Sequence, residues 1–105
     1  MTGLINVTIT SAQPAEAERI AKALIQEKLA ACVNILPAVR SIYMWEGKMQ
    51  DAQEVVVTAK TRMEKFEGIK KLMKILHSHT TPCIIATPIV AGHEGYVNWV
   101  KSETP

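Results

Sequence analysis

The segment 27–48 constrains the fold of this chain more than any other stretch. It leads from a helix end through a short β-prone run at 32–36 to Pro37, which cannot donate to a strand ladder and therefore predicts a bend or bulge. Residues 39–45 continue as a strand with apolar side chains on both faces. Gly47 predicts a turn before a third, β-branched stretch. We therefore expect a long hairpin formed by the second and third strands.

Hydrophobic periodicity predicts the other elements. Apolar and polar residues alternate over residues 5–10, which indicates a half-buried first strand. Apolar stripes at helical spacing predict one helix that begins near Pro14 and a second over residues 66–76. Residues 83–90 form a nearly continuous apolar run, which is typical of a strand in the centre of a sheet. A short helix that carries Trp99 is predicted near the end of the chain.

The second helix is predicted to begin at a capping box. Thr61 and Glu64 have the required spacing, so the Thr61 hydroxyl would accept a hydrogen bond from an early helical N–H while Glu64 reaches back to the cap.

The order βαββαβ with a terminal helix predicts an α+β, ferredoxin-like sandwich over a single domain, residues 1–105. Two helices cover only one face of the sheet, so aromatic side chains of the hairpin such as Tyr43 and Trp45 would face water in a monomer. These rings are predicted to pack between subunits, and stacking on a ligand is the alternative. A domain of this size buries only about two-thirds of its unfolded surface, which favours oligomerisation further.

Charge and composition limit the choice of partners. Twelve Lys and Arg residues are interleaved with ten acids, for a net charge of +2, so nucleic acid is not implied. No apolar run approaches the length of about 18 residues that spans a membrane. The residues before Arg19 lack the basic start and apolar core of a signal peptide, which predicts a cytoplasmic protein.

The two cysteines, Cys32 and Cys83, lie in apolar runs and are predicted to be buried free thiols.

Strong catalytic motifs are absent. The five glycines are scattered, and there is no phosphate-binding glycine loop, GxSxG, CxxC or HExxH pattern. We therefore expect no enzymatic activity.

One local cluster, His77, His79 and Cys83, lies at a helix-to-strand junction. Imidazole and thiolate are suitable ligands for copper or zinc, and a defined site usually has three or four of them. The alternative is structural, because a histidine near the last helical turn stabilises the exposed carbonyl groups there. Both interpretations stay open for His77. His93, just before the last helix, is predicted to be exposed or to cap that helix.

Several stretches resemble those of a known family. They are Glu-Lys-Leu-Ala-Ala-Cys-Val-Asn at 27–34, Ser-Ile-Tyr-Met-Trp-Glu-Gly-Lys at 41–48, the pairs at 54–55 and 60–61, His77 before Thr81-Pro82, and the stretch 96–99. With them the chain resembles the CutA proteins, described as divalent-ion tolerance proteins, over nearly its whole length. The resemblance implies a ferredoxin-like homotrimer built by the long hairpins, a cytoplasmic location, a role in tolerance of copper and other divalent metals, and no established catalytic reaction.

Two positions depart from the family pattern. Some members carry a copper-associated cysteine in the first strand, where this chain has Ile9, which cannot ligate. The family's histidine pair followed by Pro-Tyr becomes Leu76-His77-Ser78-His79, so His77 corresponds directly and His79 replaces the aromatic residue.

The resemblance, together with the hairpin aromatics and the histidine cluster, predicts a homotrimeric, non-enzymatic protein that responds to metal ions. It also predicts weak contact to copper or another divalent cation at His77 and His79. The alternative is a trimeric regulator that senses a small molecule, similar to the PII signalling proteins. An acylphosphatase-like enzyme is disfavoured, because the chain has no phosphate-binding glycine loop with an arginine near its start.

Overall fold

The computed structural model describes residues 1–105 and contains one four-stranded sheet with three α-helices. The strands are β1 (Leu4–Ser11), β2 (Cys32–Trp45), β3 (Lys48–Arg62) and β4 (Ile84–Ile89). The helices are α1 (Pro14–Gln26), α2 (Phe66–Leu76) and α3 (Glu94–Glu103), and a 3-10 turn at Met63–Lys65 precedes α2. The sheet order is β2-β3-β1-β4, with every neighbouring pair antiparallel. The predicted α+β, ferredoxin-like architecture is confirmed.

Strand alternation decides which face of the sheet forms the core. In β1 and β3 the odd-numbered residues are buried on the helix side of the sheet, as at Val7, Ile9 and Val57. The apolar stripes of α1 and α2 complete this cluster with Ile20 and Ile69 among others. Even-numbered residues of the same strands lie on the opposite, open face.

The long hairpin of β2 and β3 is also confirmed. Its pairing runs from Cys32 opposite Lys60 to Trp45 opposite Lys48, and the register shifts between Leu36 and Val39, around Pro37, as the proline predicts. Glu46 and Gly47 close it with φ values of 51° and 77°. Positive φ at both central positions is the geometry of a turn whose twist matches the flanking strands. The molecule is therefore elongated, at 44 × 25 × 22 Å.

Helix α3 covers one end of the open face. The Arg62 Nη2 donates a hydrogen bond to the carbonyl oxygen of Lys101 at 2.8 Å, and Val100 is fully buried. Burial and the adjacent Cys32 thiol raise the pKa of Tyr96, which places α3 beside the start of β2. The rest of the open face, along the hairpin, is left uncovered by the chain.

The prediction that the last strand is central was wrong, because β4 lies at the edge of the sheet beside β1. Ile84 packs against the core, whereas Ile85 and Val90 are exposed. A continuous apolar run indicates that both faces of a strand are apolar, but it does not distinguish a central strand from an edge strand. The two crossover helices decide the position, since they bring β4 to the free edge of β1.

The predicted capping box was also wrong. Thr61 is still part of β3, opposite Ile5, and its buried hydroxyl has no hydrogen-bond partner. The ladder with β1 holds Thr61 extended with its side chain toward the core, so the hydroxyl cannot turn to a helical N–H. The 3-10 turn follows instead, and neither it nor α2 has a side-chain cap.

Both cysteines are free, as predicted, but neither is buried. Cys83 is exposed just before the edge strand β4, and Cys32 is half-buried beneath α3. The apolar run around each cysteine therefore did not predict the burial of its thiol, because both runs lie at the edges of the sheet.

Two isoleucines of α2 test the location of the core. Ile69 is 0% exposed and Ile75 is 80% exposed. We expect Ile69→Ala to lower the free energy of unfolding by about 2–5 kcal/mol, because it leaves a cavity, and Ile75→Ala to change it by less than about 0.5 kcal/mol. Urea unfolding at one fixed protein concentration measures both. Equal losses in the two variants would contradict the assignment of the core.

Candidate functional site

A cleft of about 600 Å³ opens on the uncovered part of the open face. One wall comes from the hairpin, the other from the connection between α2 and β4, and Thr10 of β1 lies between them. The lining residues are Thr10, Ser41, Tyr43, Trp45, Glu54, Ser78, His79, Thr80, Thr81 and Cys83. Tyr43 and Trp45 of the family-like hairpin stretch therefore meet His79 and Cys83 of the histidine cluster at one place.

Unequal strand lengths form this cleft. β1 ends at Ser11, opposite Val55, while β3 extends a further seven residues to Lys48. Residues 48–54 thus have a neighbour only on the β2 side. The register of Val39 opposite Glu54 and Trp45 opposite Lys48 then places alternate hairpin side chains, including Tyr43, on the same open face.

His77 ends α2 and anchors the connection to β4. Its side chain is fully buried, with Nε2 2.7 Å from the carbonyl oxygen of Thr10 and Nδ1 3.0 Å from the backbone N–H of His79. The Thr10 oxygen only accepts, so Nε2 carries the proton, and the His79 N–H only donates, so Nδ1 is the acceptor. The ring is therefore neutral in this arrangement, with both nitrogens engaged.

Glu16, in the first turn of α1, holds the same connection from the other side. Its carboxylate accepts hydrogen bonds from the Ser78 backbone N–H at 2.6 Å, the Ser78 hydroxyl at 3.1 Å and the Ser11 hydroxyl at 2.8 Å. Burial raises the pKa of Glu16, but these hydrogen bonds outweigh burial, and the pKa lies below its ordinary value. Together, Glu16 and His77 fix the start of the connection that forms the cleft wall.

The donor atoms of the histidine cluster do not form a resident metal site. His79 is exposed, and its ring centroid is 5.1 Å from that of His77, but His77 has no free ring nitrogen. No group of three or more His, Cys, Asp or Glu side chains is close enough to hold one ion. Metal contact by His77 and His79 stays a prediction, and the exposed His79 ring is the more accessible of the two.

His93 is confirmed as a helix cap. It is exposed, and its Nδ1 accepts a hydrogen bond from the Tyr96 backbone N–H at the start of α3, at 3.4 Å.

The burial of two acidic residues of this region, Glu54 and Glu16, was not predicted from the sequence. Glu54 directly precedes the β-branched run of β3. This position at the start of an apolar strand is the sequence feature that could have indicated its burial. Glu16 resembled an ordinary first-turn acid that opposes the helix dipole. Its partners, Ser11 and Ser78, are adjacent to it only in the fold.

A family model described as CutA1 divalent ion tolerance protein matches residues 5–103. The chain belongs to this family. The family description names tolerance of divalent ions and no chemical reaction.

Individual relatives of the CutA1 family agree along the whole domain. A divalent-cation tolerance protein CutA of Archaeoglobus fulgidus is 48% identical over 94 residues, covering 90% of this chain and 91% of the relative. The solved structure of the A. fulgidus protein has a TM-score of 0.93 at 43% identity and covers 97% of this chain and 99% of its own. That of Thermus thermophilus has a TM-score of 0.94 at 41% identity, with the same coverage.

No helix of the structure is both long and apolar enough to cross a bilayer. The A. fulgidus structure is described as that of a periplasmic protein. The cytoplasmic location of this chain accordingly stays a prediction.

The carboxylate of Glu16 should make stability dependent on pH. Because its pKa is depressed in the folded state, ionised Glu16 stabilises the fold above its ordinary value of 4.5, and this stabilisation is lost as the pH falls through the lower folded value. We expect Glu16→Gln to cost about 1–3 kcal/mol at neutral pH and to flatten the acid-side loss of unfolding free energy.

Urea unfolding at a series of pH values and fixed protein concentration measures this effect. Glu18→Gln is the matched control, since Glu18 lies on the same helix in an exposed pair with Lys22. Parallel pH profiles for the wild type and Glu16→Gln would show that Glu16 does not hold the connection.

Proposed function

We propose that this protein is a non-enzymatic homotrimer of the CutA1 family that acts in tolerance of divalent cations. The observation that carries the trimer is the protruding hairpin, which is apolar on both faces and uncovered by its own chain. The divalent-cation role is supported by the family description and by the printed names of the relatives. No catalytic centre is part of the proposal.

The hairpin offers two different contact surfaces. Ile42, Met44 and Met49 lie on the side that continues the core face beyond the helices, and they are 61%, 65% and 74% exposed. Tyr43 and Trp45 lie on the opposite side and are about half exposed. Exposed apolar patches of this kind mark subunit contacts. Two distinct patches on one element let each subunit contact two neighbours, which a closed ring of three requires.

Metal contact, in this proposal, is weak and made mainly through His79. Copper and other divalent ions are bound by imidazole, and the His79 ring is exposed at the rim of the cleft. His77 joins only if it releases one of its two hydrogen bonds, to Thr10 or to His79.

The cleft supports a second candidate, a regulatory trimer that senses a small molecule, as the PII-like alternative predicts. Its volume of about 600 Å³ is typical of small-molecule sites. The hairpin turn, in contrast, contains only Glu46 and Gly47 between the two strands, so this chain has no long effector loop there.

Sedimentation tests the trimer. We expect the wild type to sediment with about three times the monomer mass of 11.6 kDa at micromolar concentration. Met44 pairs with Met49 across the hairpin, and the double variant Met44→Asp, Met49→Asp should dissociate because it buries charge in the contact. Ile75→Asp, at an 80% exposed position on α2, is the control and should keep the wild-type mass. A wild type that sediments as a monomer would contradict the trimer.

Calorimetry with reduced protein tests the metal contact. We expect copper or zinc to bind weakly to the wild type, His79→Ala to lose this binding, and His93→Ala to retain it, because His93 is also exposed but caps α3. If neither ion binds the wild type, direct metal action by this protein is ruled out, whereas the trimer is unaffected.

A further inference from the structure

An ion pair between Arg40 and Asp51 lies within the apolar surface of the hairpin. The Arg40 Nε donates a hydrogen bond to Oδ1 of Asp51 at 2.8 Å, and Nη2 donates one to Oδ2 at 2.6 Å, so the pair is bidentate. Asp51 is directly opposite Ile42, and Met44 is opposite Met49 nearer the turn. Strand alternation therefore places these five side chains on one side of the hairpin.

This ion pair contributes little to the stability of a single chain. The side chains of Arg40 and Asp51 are 73% and 49% exposed. Water screens an exposed pair, and ordering two side chains in one geometry costs entropy. The pair between Lys22 and Glu18 on α1 is similar, with side chains that are 68% and 60% exposed, but it lies outside the hairpin.

A subunit that covers the tip of the hairpin also covers the ion pair. A stable contact buries about 800 Å² on each partner, which is more than the partly exposed Ile42, Met44 and Met49 provide. The contact therefore extends along the same side of the hairpin to Arg40 and Asp51. A covered pair is tolerated while both charges are present, whereas a single covered charge is strongly unfavourable.

A second copy of the chain offers suitable acceptors for the covered pair. Arg40 uses two of its five N–H groups on Asp51, so three remain free. A groove of about 400 Å³ borders the pair, and its small side chains, Ala38 and Ala52, let another backbone approach closely. β2 is an edge strand, so a second copy presents free backbone carbonyl groups beside its own apolar side chains.

We propose that the Arg40–Asp51 pair is a recognition element of the subunit contact. The pair stays within its own chain, and the hairpin region of a second copy covers it. Association then depends on the pair being intact, because a lone charge would be buried in the contact if either partner were lost. The inference rests on the proposed trimer and identifies charged residues on which its formation depends.

Sedimentation over a concentration series tests the proposal with a double-mutant cycle. We expect Arg40→Met and Asp51→Leu each to raise the concentration of half-dissociation about tenfold or more, since each leaves one charge unpaired. The double variant should return to within about threefold of the wild type, because apolar groups replace a buried ion pair at little cost. Such a recovery also shows that the single variants still form the hairpin.

The exposed pair of α1 supplies the matched control. Lys22→Met and Glu18→Leu make the same changes of charge outside the hairpin, and both should dissociate at the wild-type concentration.

Three results would overturn the proposal. A trimeric wild type whose Arg40→Met and Asp51→Leu variants dissociate no more readily would show that the pair stays in water, and the trimer itself would stand. A double variant at least as weak as the single variants would show that the two charges are not coupled in the contact. A monomeric wild type would contradict the proposed trimer and this inference together.

Discussion

The mismatch between a short β1 and a long β3 is the constraint on which the rest of the structure depends. β1 has eight residues and β3 has fifteen, so the sheet supports only part of the hairpin. The remaining part extends past the helices, and its apolar side chains have no partner within the chain. The same mismatch leaves a space beside the end of β1, and this space becomes the cleft. The uncovered apolar surfaces of the hairpin and the cleft thus have one structural origin.

The second wall of the cleft depends on two polar anchors rather than on regular structure. Residues 77–83 connect α2 to β4 and have few backbone ladder bonds of their own, so His77 and Glu16 bind them to β1 and α1. This structural role of His77 differs from the role that its position in the sequence suggests. A histidine at a family-like position looks available for a metal, but its ring is already committed to holding the chain, and the accessible imidazole is that of His79.

The sequence predicts the architecture well because its elements are locally encoded. Alternation in β1, the stripes of α1 and α2, and Pro37 and Gly47 in the hairpin each act over a few residues. The position of β4 at the sheet edge and the extended Thr61 were mispredicted, since both are decided by pairing with β1. In the site, His79 and Trp45 could be proposed from residue type. The low exposure of Glu54 could not, because it follows from where β1 ends opposite β3.

The proposed trimer covers the hairpin tip, which is exposed in a single chain. Oxidation of the methionines by dilute hydrogen peroxide, resolved by peptide mass spectrometry, tests it directly, because oxidation follows solvent exposure. Met63 is 56% exposed, outside the hairpin, and Met73 is 1% exposed in the core, so they supply the exposed and buried references. If the trimer forms, Met44 and Met49 oxidise much more slowly than Met63. Oxidation of Met44 and Met49 at the rate of Met63 or faster would contradict it.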